Sequence, residues 1–299
     1  MDILVVGSIA LDTVETPHRS VRDAAGGSAL YFSTAASFFN PVNVVAVVGQ
    51  DFDFKRIDFF KKRKINTDGI YVAQGETFRW GGKYYSNFNQ RDTLYTHLNV
   101  FENFKPIIPA AYRRSKYIFL ANIDPQLQLD VLRQIKEPRL VVLDTMNFWI
   151  SRKREILLQV IKKSDILILN DEEVRQLTNL DQLIPAGRKI LKLGPRYLVI
   201  KKGEHGAILL GPDSYFAAPA YPVERVVDPT GAGDSFAGGF VGYLAKSRKM
   251  DEVTLRKAVI FGSTVASFNV EDFSFKRLQN LSHSELMSRI RRFKTITTF

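Results

Sequence analysis

Val226-Val227-Asp228-Pro229-Thr230-Gly231-Ala232-Gly233-Asp234-Ser235-Phe236-Ala237-Gly238-Gly239-Phe240 is the stretch on which the reading of this chain turns. The branched apolar pair reads as the end of a strand, followed by Gly-Ala-Gly and then by Gly233–Ser247 as an apolar helix. At such a junction the first helical turn leaves N–H groups without intrahelical partners, and the helix dipole adds partial positive charge. The Gly231-Ala232-Gly233 loop is therefore a natural seat for an anion. Asp234 has an ordinary use as a first-turn acid that suits the dipole. If the anion is a phosphate, the same carboxylate is placed to take a proton from an attacking hydroxyl, since positioning is most of what phosphoryl transfer asks of a protein.

Outward from this stretch, short apolar runs alternate with amphipathic segments. Ile3–Gly7, Val42–Val48, Tyr117–Leu120, Leu140–Leu143, Ile166–Leu169 and Tyr197–Lys201 are written like strands buried on both faces of a parallel sheet. Ser28–Phe39, Asp53–Arg63, Gln126–Ile135, Ile156–Lys163, Asp171–Thr178 and Val253–Asn269 carry helical periodicity, and Ser282–Lys294 reads as a basic surface helix. The pattern predicts an α/β fold with right-handed crossovers. Gly69–Asn99 breaks it: Tyr71, Phe78, Arg79, Trp80, Tyr84, Tyr85, Phe88 and Tyr95, punctuated by Gly81-Gly82 and Asn89, predict hairpins. With Asp12–Arg22 they would form a small subdomain over one end of the main sheet. No repeat or linker divides residues 1–299, so a single domain is expected.

Composition excludes several classes. With 45% hydrophobic and 24% charged residues, the 299-residue chain has material for a sizeable core and is not disordered. Zero cysteines exclude a disulfide framework and thiolate metal sites, and agree with a reducing cytoplasm. Ile3-Leu4-Val5-Val6 is too short for a signal peptide core, and no window offers the ~20 apolar residues of a membrane span. The net charge of +11 fits either a well-solvated surface or an anionic partner; Lys61-Lys62-Arg63-Lys64 and Arg152-Lys153-Arg154 are the densest basic runs.

Asp228-Pro229-Thr230-Gly231-Ala232-Gly233-Asp234 resembles the C-terminal signature Asp-Thr-x-Gly-Ala-Gly-Asp of the ribokinase-like (PfkB-type) carbohydrate kinases, with Pro-Thr in place of Thr-x. The resemblance implies a three-layer α/β/α fold, a central mainly parallel sheet, and a β-sheet lid over the substrate formed by roughly 12–22 and 69–99. It implies an ATP-dependent kinase acting on an alcohol group of a sugar or polyol. Asp234 would be the base, Gly231, Ala232 and Gly233 the anion hole, and Asp228 a neighbour of a monovalent-cation site that could take K+. Val5-Val6-Gly7-Ser8-Ile9-Ala10-Leu11-Asp12 looks like the family's first strand, ending on the acid that binds substrate hydroxyls, and Gly26-Gly27 like its substrate-side glycine pair. Tyr31 stands where the family often has a substrate-binding Asn. Gly49-Gln50-Asp51 keeps the Gly-x-Asp of another signature without the Gly that usually follows.

Asn170-Asp171-Glu172-Glu173 resembles the family's Asn-x-x-Glu element, which implies that Asn170 and Glu173 serve Mg2+, through water, and the ATP phosphates. Without the family, the same residues read as a helix N-cap followed by first-turn acids. Ile200–Ala207 resembles the strand and turn lining the nucleotide, with Lys202 and Gly203 as contacts and His205 as a turn residue; Val259–Asn269 corresponds to a helix on the adenine side. In the lid, Phe78 or Trp80 is expected to stack on a base or sugar and Arg79 to meet an anionic or hydroxyl-rich substrate. The partners implied are a small-molecule sugar, polyol or nucleoside and a second copy joined through the lid, without nucleic acid or membrane. Two alternatives stand beside the carbohydrate kinase: a nucleoside kinase of the same family, favoured by the aromatic lid and Tyr31, and a non-catalytic basic protein binding nucleic acid.

Overall fold

The computed structural model describes residues 2–88 and 90–298; Asn89, expected to punctuate a turn, lies outside them. In chain order the described strands are β1 (Ile3–Val6), β2 (Ala10–Glu15), β3 (Ser20–Gly26), β4 (Val42–Gly49), β5 (Ile65–Ala73), β6 (Phe78–Tyr84), β7 (Arg91–His97), β8 (Tyr117–Leu120), β9 (Leu140–Asp144), β10 (Ile166–Asn170), β11 (Tyr197–Lys201), β12 (Ala207–Leu210) and β13 (Tyr215–Ala218). Nine of them form one sheet in the order β13-β12-β11-β10-β9-β8-β1-β4-β5. All neighbours there are parallel except the β11-β12-β13 meander.

Alternate residues of the same strands feed two cores, because successive side chains point to opposite faces. Ile3, Val5, Val42 and Val44 pack with residues of the helices Ser28–Ala36, Ala232–Ser247 and Glu252–Asn269. Leu4, Val6, Ile118 and Leu120 pack on the other side with residues of Pro125–Gln134, Arg154–Lys162, Asp171–Thr178 and Leu183–Leu191. The result is three layers. From β1 the main sheet is built outward through β4 and β5, and the chain then returns to β8 on the other side of β1. A switch of this kind opens a crevice outside the carboxyl ends of the strands.

Above that edge lies a second sheet, β3-β2-β6-β7. Its composition corrects the expected lid. Residues 65–73 form β5, the edge strand of the main sheet parallel to β4, so the second half of the lid is the single hairpin β6-β7. Tyr71 (68% exposed) and Val72 (46%) face outward from that edge, which removed the apolar run by which a central strand is known. Asp12 also differs in address: β1 ends at Val6 and Asp12 belongs to the lid strand β2.

Two other expectations change, and one helix is added. Val226 and Val227 are not a strand end, since β13 stops at Ala218; the N–H groups of Val227 and Asp228 instead donate to the Val270 carbonyl beyond the helix Glu252–Asn269. Asp53–Arg63 is two short turns, Phe54–Ile57 and Phe59–Lys62. Leu183–Leu191 is a helix although Pro185 and Gly187 punctuate it, because proline is tolerated in a first turn.

Three residues of the basic runs are engaged in the fold, while Lys61, Lys62, Lys64 and Arg152 are exposed. The Arg63 guanidinium lies 4.3 Å from the centre of the Phe38 ring and donates to the carbonyls of Leu278, Gln279 and Leu281 at 2.8, 2.8 and 3.1 Å. Lys153 pairs with Asp124 at 2.5 Å and Arg154 donates to the Leu177 carbonyl at 2.6 Å. Among the described residues no helix is long and apolar enough to cross a membrane.

Candidate active site

Three neighbouring strands end on chemistry. β9 finishes at Asp144, β10 at Asn170 and β11 at Lys201, and the last two stand opposite each other in the register. Lys201 Nζ lies 3.7 Å from Asp144 Oδ1, with the two side chains 18% and 7% exposed. Asn170 caps the helix Asp171–Thr178: its side chain accepts the Glu173 N–H at 2.8 Å, and Glu173 Oε2 accepts the Asn170 N–H at 2.7 Å. The local capping role is thus filled, yet Glu173 is also buried. Desolvation pushes its carboxyl up to about 7, with Asp144 adding to the rise and Lys201 opposing it.

The Gly231–Asp234 loop approaches the same cluster. Gly231 is the N-cap of the helix Ala232–Ser247 with φ 73°, and a Cβ there would lie 2.3 Å from the Tyr31 ring, so glycine answers both the backbone and the space. The Ala232 N–H donates to the Pro229 carbonyl at 3.1 Å and the Ser235 N–H to the Gly231 carbonyl at 2.8 Å. The first-turn Gly233 N–H has no intrahelical partner, and the Asp234 N–H faces its own carboxylate. A Cβ on Gly233 would lie 2.9 Å from Lys201 Nζ. Desolvation raises the Asp234 carboxyl to about 7; Asp144 adds to this and Lys201 works against it.

On the lid side, Asp12 is 4% exposed and lies directly over Gly26, where a Cβ would fall 1.9 Å from its Oδ2. Gly26 therefore makes room for the Asp12 carboxylate, which also accepts the Gly27 N–H. Desolvation pushes Asp12 up to about 8, and Asp228 and Asp234 raise it further against Gly27 and Arg91. Asp228 is buried, accepts the N–H of Thr230 at 2.8 Å and of Ser274 at 3.3 Å, and is raised by desolvation. The Tyr31 phenol stays neutral: desolvation lifts it well above its ordinary range, and Asp228, Asp12, Tyr84 and Asp234 add to the lift. The Thr230 hydroxyl donates to the Tyr84 hydroxyl at 3.2 Å and so ties the lid to the loop.

Asp12, Gly26, Gly27, Asp228 and Asp234 are thus brought together, as are Asn170 and Glu173. Arg79 goes elsewhere. In the β2-β6 register Asp12 stands opposite Trp80 and Leu11 opposite Arg79, so Arg79 points from the other face of the lid. It pairs there with Asp23 and, at 2.9 Å, with Asp51. The lid cation beside Asp12 is Arg91, 5.1 Å from the centre of the Trp80 ring. Phe78 stacks on Phe101 at 5.4 Å and fills the base of the lid. Lys202 and Gly203 belong to the turn after β11, where the Lys202 N–H donates to the Gly206 carbonyl at 2.8 Å. Sequence reasoning missed Lys201 and Asp144, whose only mark is a charge closing an apolar strand. Among the described residues no three His, Cys, Asp or Glu side chains are grouped to hold a metal.

The pfkB family carbohydrate kinase model matches residues 2–277. The chain is 27% identical over 258 residues to the cytidine kinase of Thermococcus kodakarensis, covering 84% of this chain and 91% of that protein. It is 24% identical over 235 residues to the nucleoside kinase of Methanocaldococcus jannaschii, covering 76% and 72% of the two. The crystal structure of a nucleoside kinase from that organism, described as an archaeal member of the ribokinase family, superposes with a TM-score of 0.77 at 23% identity over 97% of this chain and 98% of the other. The Arabidopsis thaliana ribokinase complexed with ribose and ATP gives 0.77 at 19% identity, over 97% and 98%. The expected three-layer fold with its small separate sheet is therefore borne out, and the chain belongs to the pfkB family of carbohydrate kinases.

Proposed function

We propose that this protein transfers the γ-phosphoryl group of ATP to a hydroxyl of an uncharged nucleoside. The observation that carries the reading is the position of Asp234, which feels Asp12 of the lid on one side and the Lys201–Asp144 cluster on the other. A base at that junction can take the proton of a hydroxyl held by Asp12 while the phosphoryl group rests at the helix N-terminus. Gly231 and Gly233 line the anion hole, with Ala232 holding the loop through its bond to Pro229. Lys202 and Gly203 would contact the nucleotide, and Asp228 would brace a K+ site beside the loop. Asn170 and Glu173 would hold Mg2+ through water, and the ion would supply neutralisation of the phosphate charge. The free edges of β3 and β7 would take a second copy through the lid, and a cysteine-free chain suits the cytoplasm.

Names of relatives support a nucleoside acceptor, as does the lid face that sets Trp80 and Arg91 beside Asp12. A sugar is the second reading, supported by the sugar-kinase members of the same fold. The test is phosphorylation of a panel of ribonucleosides, ribose, fructose and polyols with ATP and Mg2+. Turnover of at least one nucleoside above the sugars is expected. Turnover of sugars alone would move the assignment to the second reading, and no turnover with any alcohol would overturn both.

A further inference from the structure

We propose that Lys201 is a catalytic residue whose ammonium binds the phosphoryl group in transit, with Asp144 as the residue that positions it. The inference rests on the kinase reading above and adds the cation which that reading lacks. Asp144, Glu173 and Asp234 converge on the end of β9-β10-β11 beside the helix N-terminus. Three carboxylates there would repel a triphosphate, and the cation acting against the charge of all three is Lys201.

Geometry says where the ammonium works. Its Nζ is 2.9 Å from the place a Gly233 Cβ would occupy, so it stands over the amide loop in space kept open by the missing side chain. The 3.7 Å separation from Asp144 Oδ1 is an ion pair with room for a third group, and 18% of the lysine side chain remains accessible. An anion seated on the Gly233 N–H lies within reach of that ammonium. Asp144 is itself held, since its Oδ1 accepts the Thr145 N–H at 3.0 Å. Its carboxylate also raises the lysine's affinity for its proton against the cost of desolvation, with Glu173 and Asp234 adding to it. Lys201 therefore stays charged and acts by electrostatics, not as an acid.

In the step itself the acceptor oxygen bonds to the γ-phosphorus, and the bond from that phosphorus to the β,γ-bridging oxygen breaks. Its electron pair leaves with ADP, the hydroxyl proton passes to Asp234, and Lys201 keeps its own proton.

The absence of cysteine from the sequence makes a clean test available. Lys201→Cys creates the protein's single thiol; alkylation with 2-bromoethylamine in denaturant followed by refolding restores an ammonium at nearly the original length. Iodoacetamide on the same variant adds a neutral group of similar size. Wild-type protein carried through both treatments is the control. Lys201→Cys and Lys201→Met should each lower kcat by on the order of 10²–10³-fold with a nucleoside acceptor. Aminoethylation should recover at least about tenfold of that loss and carbamidomethylation none. Calorimetry with Mg·ATP and Mg·ADP gives a readout without an acceptor: Lys201→Met should lose more affinity for ATP than for ADP.

Lys201→Met turning over within about threefold of wild type, or equal recovery with both alkylating agents, would overturn the assignment while leaving the kinase reading in place. If Lys201→Met fails to fold, Asp144→Asn replaces it, and unchanged kcat in that variant would likewise overturn the positioning role. A wild-type protein that neither binds Mg·ATP nor phosphorylates any acceptor would overturn the kinase reading, and this assignment with it.

Discussion

The two sides of the cleft hold similar acids and relieve them differently. Around the strand ends, Asp144, Glu173 and Asp234 share the Lys201 ammonium. Under the lid, Asp12 and Asp228 have backbone N–H groups from Gly27, Thr230 and Ser274, with exposed Arg91 as the cation nearest Asp12. Desolvation pushes every one of these carboxyls up, but the compensating group sets what each side can bind. A fixed ammonium with free amides suits a polyanion. Raised acids, amides and the phenols of Tyr31 and Tyr84 suit an uncharged molecule rich in hydroxyls.

The junction between the two sides should give the largest effect. Asp234→Asn keeps shape and polarity but removes the proposed base, so turnover should fall by on the order of 10²–10⁴-fold while calorimetric ATP binding persists. The pH profile tests the same group. A carboxyl raised to about 7 is protonated below that pH and cannot act as a base, so kcat/KM should fall as pH drops through 7 and level off above it. Lys201→Met removes the charge that holds this value down, and should therefore move the limb to higher pH. A profile flat from pH 5 to 8 would separate Asp234 from proton transfer.

Next in size is the phosphate side alone. Gly233→Val puts a branched side chain where Lys201 Nζ now lies at 2.9 Å from the Cβ position. The ammonium must move and the amide loop is covered, so activity should drop by on the order of 10²-fold with the fold intact by circular dichroism. Wild-type turnover in that variant would remove the loop from phosphate binding.

The acceptor side should respond in KM and in stability. Asp12→Ala should raise the acceptor KM about tenfold with little change in the KM for ATP. Asp12 binds its proton more tightly folded, at about 8, than in the unfolded chain, where the carboxyl has an ordinary value near 3.8. Stability associated with this group is therefore full at acid pH and declines as pH rises from about 4 to about 8. Asp12→Asn should raise the melting temperature at pH 8 and change it little at pH 4. An equal shift at both pH values would show that Asp12 is not held against its charge.

These contrasts were unequally legible in the sequence. The parallel strands were readable because each is a short run of Val, Ile and Leu buried on both faces, as at Tyr117–Leu120 and Tyr197–Lys201. The edge strand β5 was not, because an edge exposes residues such as Tyr71 and Val72 and loses the uniform apolar signal. Asp234, Asp12 and the Gly26-Gly27 pair stood out within local motifs. Asp144 and Lys201 did not, since 56 residues of chain lie between two groups whose meaning appears only when β9, β10 and β11 end side by side. Arg79 misled for the opposite reason: its aromatic neighbours Phe78 and Trp80 suggested a ligand, but strand alternation turns it to the face away from Asp12.

Arg79 consequently supplies the smallest expected effect and the sharpest control. Its guanidinium joins Asp23 and Asp51 on the lid face away from Asp12, with side chains 25%, 53% and 28% exposed, so solvent screens the pairs. Each such contact contributes ~0–1 kcal/mol. The Asp51 carboxyl lies below its ordinary range: desolvation opposes the shift, but the hydroxyl and N–H of Thr77 and then Arg79 outweigh it. A depressed carboxyl contributes stability above its unfolded value and loses it as pH falls through the folded one. Arg79→Gln should therefore lower the melting temperature by a few degrees or less at pH 7, and by less still once the pH has fallen far enough for Asp51 to take up its proton. Acceptor KM and kcat should stay within about twofold of wild type, because the substituted side chain faces away from Asp12. A tenfold rise in acceptor KM from Arg79→Gln, without such a rise from Arg91→Gln, would invert the assignment of the lid's two faces.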